Sequence, residues 1–178
     1  MPDLQTGGPS RRLIILAAAL AVALAAVVAI LGVMNRSSNN PGDEQLALVP
    51  VPASQADSPQ CAALVPALPA ELISNGATLN RRVLAEPAPP ATVAWGAPDP
   101  IVLRCGLDRP PELTRTAQLR VVSGVQWLPV EGDGASTWYV VDREVYVGLT
   151  VPDSAGTGPL QSISDTVAST LRPAPLRF

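Results

Sequence analysis

The stretch Glu144-Val145-Tyr146-Val147-Gly148-Leu149-Thr150-Val151 decides the fold. Val145, Val147, Leu149 and Val151 recur at every second position. In an extended chain they share one face, and Glu144, Tyr146, Gly148 and Thr150 share the other. A tight turn near Asp142-Arg143 leads back to a second candidate strand, Ser136 to Val141, which itself follows the turn Glu131-Gly132-Asp133-Gly134. Val121 to Val130 is a third, interrupted by Gly124. Further upstream, Ile101, Leu103 and Cys105 alternate with Val102, Arg104 and Gly106. Connections this short favour antiparallel pairing.

Helical signals flank these strands. Pro59 to Leu72 reads as a short helix with Ser58 as N-cap and Pro59 at the first position, interrupted at Pro66 and Pro69. Near the end, Leu160, Ile163, Val167 and Leu171 fall on one helical face, opened by Gly158-Pro159 and stopped by Pro173. Helices at the ends and strands between them give an α+β class: a small antiparallel sheet packed by a short N-terminal helix and a C-terminal helix. The folded domain is expected over residues 59–172, with 173–178 as a tail.

The N-terminal region is of another kind. Leu13 to Val33 is an uncharged apolar run whose only non-hydrophobic member is Gly32. A helix of about 21 residues is roughly 31 Å long, close to the ~30 Å hydrocarbon core of a bilayer. The expectation is a single transmembrane helix over residues 13–33, an uncleaved signal anchor. Arg11 and Arg12 precede it and Arg36 follows, so residues 1–12 are expected in the cytoplasm and the C-terminal domain outside. The competing reading is a cleaved signal peptide. Against it, the run exceeds the ~7–15 residues of such a segment, and its only A-x-A pattern, at Ala23 and Ala25, lies inside the apolar stretch. Residues 34–58, rich in Asn, Ser, Pro and Gly, read as a flexible linker.

Composition narrows the chemistry. The 178 residues include no histidine and no lysine; every one of the 12 basic residues is arginine, against 15 carboxylates. A Ser-His-Asp triad, a Cys-His dyad and a histidine-ligated metal are therefore excluded, as are a Schiff-base lysine and a P-loop lysine. A net charge of −3 argues against nucleic acid as a partner. No cofactor or metal site is expected. Two cysteines in an extracytoplasmic domain most simply form one disulfide, Cys61–Cys105, stapling the first helix to the inward face of the Ile101–Cys105 strand.

One segment is distinctive: Ala94-Trp95-Gly96-Ala97-Pro98-Asp99-Pro100, running into Val102-Leu103-Arg104-Cys105-Gly106. With Cys61, Leu64, Leu68, Pro69 and Leu72, then Arg81-Arg82, and downstream Val125, Trp127, Arg143 and Val151-Pro152, it resembles the actinobacterial domain-of-unknown-function family 3515 over roughly residues 60 to 170. The resemblance implies a small membrane-anchored protein and supplies no activity and no catalytic residue.

The residues themselves nominate a binding surface. Arg104 lies on the strand face opposite Ile101, Leu103 and Cys105, where its guanidinium could serve as a fork-shaped donor to a carboxylate or phosphate. The alternative is a structural pair with Glu112 or Glu144. Trp95 and Trp127, with Trp138, would join it as an exposed aromatic patch, or else fill the core. Asp142 and Glu144 could pair for acid–base work, although a solvated turn is the plainer reading. Arg81, Arg82 and Arg109 could form a basic surface patch. Ser162, Ser164 and Ser169 on the last helix have no base to activate them.

The reading is a non-enzymatic, membrane-anchored envelope module that binds another envelope protein or a cell-wall component, with the lipid bilayer as partner of residues 13–33. The alternatives are an accessory subunit contacting a membrane complex through its alanine-rich helix, and a carboxylate-dependent envelope enzyme.

Overall fold

The computed structural model describes residues 11–38 and 44–178. The first ten residues of the expected cytoplasmic segment, and residues 39–43 of the expected linker, lie outside the described residues. The chain divides into two units, Met1–Asn40 and Pro41–Phe178. The first contains helix α1 (Arg11–Ser38), longer at both ends than its apolar core. Ile14–Gly32 is long and apolar enough to cross a membrane, and none of it is buried against protein. By length and composition it suits a membrane anchor or a signal sequence.

The second unit is an α+β domain. It runs α2 (Pro59–Ala67), β1 (Glu71–Ser74), β2 (Ala77–Asn80), β3 (Thr92–Trp95), β4 (Ile101–Leu107), β5 (Arg120–Val122), β6 (Val125–Glu131), β7 (Ala135–Val140), β8 (Tyr146–Pro152) and α3 (Gly158–Thr170). β1 and β2 form a two-stranded sheet. The other six form an antiparallel sheet in the order β3-β4-β8-β7-β6-β5.

Both domain helices start and stop as their residues dictate. The Ser58 side chain accepts the Cys61 backbone N–H at 3.3 Å, and Pro59, without an N–H to strand, opens α2. Beyond Ala67 the chain is extended, so the sequence at Leu72 is strand rather than the end of a helix. α3 buries Ile163 and Val167, with Leu171 just past its end. These side chains join Cys61, Leu64 and Leu68 around α2, and Leu103, Cys105, Val147 and Leu149 from the sheet, to make the principal core. The bonded cysteines, with Cα atoms 5.6 Å apart, cross this core from α2 to β4 as expected.

The reverse face of the sheet carries a second, smaller core of Leu107, Leu113, Leu128, Val141 and Tyr146. A register shift between Cys105 and Leu107 makes this possible. Gly106 takes φ +82° there, and a Cβ on it would run into the backbone of Gln55 and Ala56. The extra residue turns Leu107 to the opposite face from Cys105.

The chain departs from expectation on both sides of the domain. Residues 44–58 are not a free linker. Leu46 exchanges backbone hydrogen bonds with Val83 and Ala85 at 2.9 Å, the Gln55 N–H donates to Gly106 at 3.0 Å, and Ser54 Oγ donates to Asp108 at 2.6 Å. Ala53 packs on the second core. A proline-rich segment has little conformational freedom to lose on ordering, so a few apolar contacts and backbone bonds hold it as a strap. Residues 173–178 are likewise docked. Pro173 bridges Arg143, the Ala174 N–H donates to Asp142 at 2.8 Å, and Leu176 joins the second core.

Candidate functional site

Arg104 sits on the reverse face of the sheet, in a row fixed by strand register: Thr92 (β3), Arg104 (β4), Gly148 (β8), Tyr139 (β7). The next row on that face holds Val102, Thr150 and Thr137, and the two threonine hydroxyls lie 3.1 Å apart. The Arg104 side chain is half-buried. Its Nη2 donates to the Val49 carbonyl in the strap at 3.3 Å, and its Nε is buried with no partner. Neither Glu112 nor Glu144 pairs with it, so the expected structural ion pair is not formed. Among the described residues the only ion pair is Asp142–Arg143. Burial lowers the Arg104 pKa, with Tyr139 acting in the opposite direction. The Tyr139 phenol is pushed above its ordinary value, first by burial and then by the nearby Glu112 carboxylate, while Arg104 pulls it down.

The tryptophans do not join Arg104. Trp95 and Trp127 are both 0% exposed and belong to the principal core, on the other face of the sheet. Each indole N–H is satisfied inside the protein: Trp95 donates to the Pro69 carbonyl and Trp127 to Ser164 Oγ, both at 2.9 Å. In a chain with few aromatics the largest apolar side chains do most for the domain inside it, and a buried indole needs only one acceptor to be at rest. Of the two readings of Trp95 and Trp127, core filling is the one found, and they form no exposed aromatic patch. Trp138 is partly buried and lines a cleft of about 170 Å³ with Ser136, Asp153, Thr157 and Leu160.

Asp142 and Glu144 do not pair, and their turn is not solvated throughout. Asp142 is 5% exposed and Arg143 1%, and Arg143 Nη1 lies 2.8 Å from Asp142 Oδ2. Glu144 is exposed, accepts a hydrogen bond from Gln60, and lines a cleft of about 230 Å³ with Pro59, Ala63, Thr170 and Arg172. Arg82 donates to the Gly96 and Glu44 carbonyls at 2.8 and 2.7 Å, and Arg109 to Leu113 at 2.9 Å, so these two arginines act as backbone stitches rather than a basic patch. Ser164 Oγ donates to Leu160 and receives Trp127, a structural role. The neighbour that sequence reasoning missed is Tyr139. Its signal is its place in the Ser136–Val141 strand, on the same face as Thr137.

The fold and site define a small disulfide-bonded α+β domain behind an apolar N-terminal helix, with an uncompensated arginine on one sheet face. A family model described as "Protein of unknown function (DUF3515)" matches residues 19–176. The chain belongs to that family. No curated protein and no solved structure matches it.

Proposed function

We propose that the protein is a single-pass, membrane-anchored module of the cell envelope that holds its α+β domain outside the membrane and acts by binding rather than by catalysis. The observation that carries this reading is the joining of an apolar helix, unburied over Ile14–Gly32, to a domain crossed by a disulfide. An unburied apolar helix finds its solvent in lipid, and a structural disulfide belongs to an oxidising compartment. Arg11 and Arg12 ahead of the span favour a cytoplasmic N-terminus. Binding is favoured over catalysis by the absence of histidine and lysine from the sequence, and by the separate fates of Asp142 and Glu144. The partner is an envelope protein or a cell-wall component.

Crosslinking in intact cells followed by purification of the full chain tests this. A reproducible envelope partner, on a protein that resists alkaline carbonate extraction and whose domain is cut only by externally added protease, is the expected result. A chain released by carbonate, or one that crosslinks to nothing, overturns it. Exchange of α1 for an unrelated span locates the contact: partner kept assigns it to the domain, partner lost to the helix.

A further inference from the structure

We propose that the cleft between β7, β8 and the start of α3 is a saccharide site, in which Trp138 stacks against one neutral pyranose ring of a cell-wall glycan. The proposal rests on the reading of the domain as a binding module and names the chemistry of its partner. It starts from a difference among the tryptophans. Trp95 and Trp127 are fully buried, with their indole N–H groups bonded inside the protein. Trp138 is part-exposed, its nitrogen is not buried, and its N–H meets no acceptor among the described residues. Strand register accounts for this. Ser136 and Trp138 share the principal-core face near the start of β7, opposite Val151 and Leu149 of β8. Leu160, from the first turn of α3, lines the same cleft, and Trp138 is left half-covered at the margin of the core.

The lining of the cleft selects the ligand. Its apolar wall is Trp138, Val151, Pro152 and Leu160. An indole face is negative and attracts the weakly positive C–H groups on the flat side of a sugar ring. Polar groups without partners stand around that wall. Asp153 is exposed and in no ion pair, and Thr157, the N-cap of α3, makes no capping hydrogen bond with its side chain. The Trp138 N–H is a donor, the Asp153 carboxylate an acceptor, and the Thr157 hydroxyl either. The hydroxyls of one sugar ring answer all three. Charged ligands answer fewer. An anion is repelled by Asp153, and a cation meets the positive end of α3, whose first turn carries no acidic residue. A proline-rich peptide also stacks on tryptophan, but its backbone lacks the N–H donors that a carboxylate requires. Size agrees. The cleft holds about 170 Å³, well below the ~300–1,000 Å³ of a site that encloses a whole small ligand. It admits one ring and leaves the rest of a glycan chain outside.

The test uses the full, isotope-labelled chain in a detergent without a sugar headgroup. The probes are trisaccharides of glucose, galactose, mannose and N-acetylglucosamine, with a proline-only peptide as the competing class. Each tryptophan gives one indole N–H signal in the NMR spectrum, and Trp138→Phe identifies that of Trp138. Saturable binding of at least one trisaccharide is expected, with the Trp138 signal moving and those of Trp95 and Trp127 staying in place. Trp138→Ala should weaken binding about tenfold or more, and Asp153→Asn about threefold to tenfold. Glu144→Gln, in the other cleft, should bind as the native chain does. Should Trp138→Ala fail to fold, Trp138→Phe keeps a ring without the N–H and should bind at intermediate strength. No saturable binding of any trisaccharide, or equal binding by the folded Trp138 and Asp153 variants, overturns the site. Tighter binding of the proline peptide than of every trisaccharide overturns it in favour of a peptide. A chain that captures an envelope partner in cells but binds no trisaccharide loses this site and keeps the module. One that binds a trisaccharide at Trp138 but is released by carbonate keeps the site and loses the anchor.

Discussion

Arg143 shows what a single residue contributes here. Its guanidinium is almost wholly enclosed and bonded to its own neighbour Asp142, while its backbone bridges Pro173 and its carbonyl accepts from Arg177. Asp142 Oδ1 and Arg143 Nε are left without partners. Such a pair adds little net stability, because the desolvation of both charges offsets their attraction, yet removing one partner strands the other. Arg143→Met is therefore expected to cost about 3–5 kcal/mol, read from urea denaturation, with much of it recovered when Asp142→Leu is added. A loss below 1 kcal/mol in the single variant would show that the turn opens to water. The sequence places both residues in a turn and leaves their burial illegible. Their backbone is bonded by Pro173, Ala174 and Arg177, in a segment that carries no periodicity to announce a docking site. The same reason hid the partner of Trp127, a serine one helix away whose hydroxyl looks like any other on α3.

At the scale of elements, the helical face of α3 is legible because one stripe of it is buried, whereas the alternation of β4 and β8 is legible from residue type alone, since Arg104, Gly148 and Thr150 mark the second face although most of both faces is buried. The hairpin of β1 and β2 escaped notice although its turn, Asn75-Gly76, takes the positive φ values that this dipeptide favours. The same chemistry at Ser123-Gly124 divides one expected strand into β5 and β6. β3 is four residues long and flanked by prolines, too short for a period to show. The Cys61–Cys105 bond joins an element read correctly, β4, to one read too long, α2. Replacing both cysteines with alanine should lower stability by about 2–5 kcal/mol, measured by thermal and urea unfolding of the detergent-solubilised chain. An unchanged midpoint would mean that α2 is held by packing of Leu64 and Leu68 alone.

For the whole domain, the strand order has a consequence in time. β5, β6, β7 and β8 each pair with a neighbour in sequence, but β4 pairs with β8, Leu103 opposite Leu149, across the entire intervening meander. During synthesis β4 is therefore complete long before its second partner exists. Its apolar residues Ile101, Val102, Leu103 and Cys105 must wait with one strand edge open, a condition that invites pairing with other chains. In detergent micelles, chains truncated after Val141 are expected to sediment as aggregate, and Leu103→Glu in the same fragment to keep it dispersed; a dispersed parent fragment would show that something else shields the edge. The interval between the making of β4 and the arrival of β8 is thus when a newly made chain is most exposed to its own copies, and when a chaperone would matter most to it.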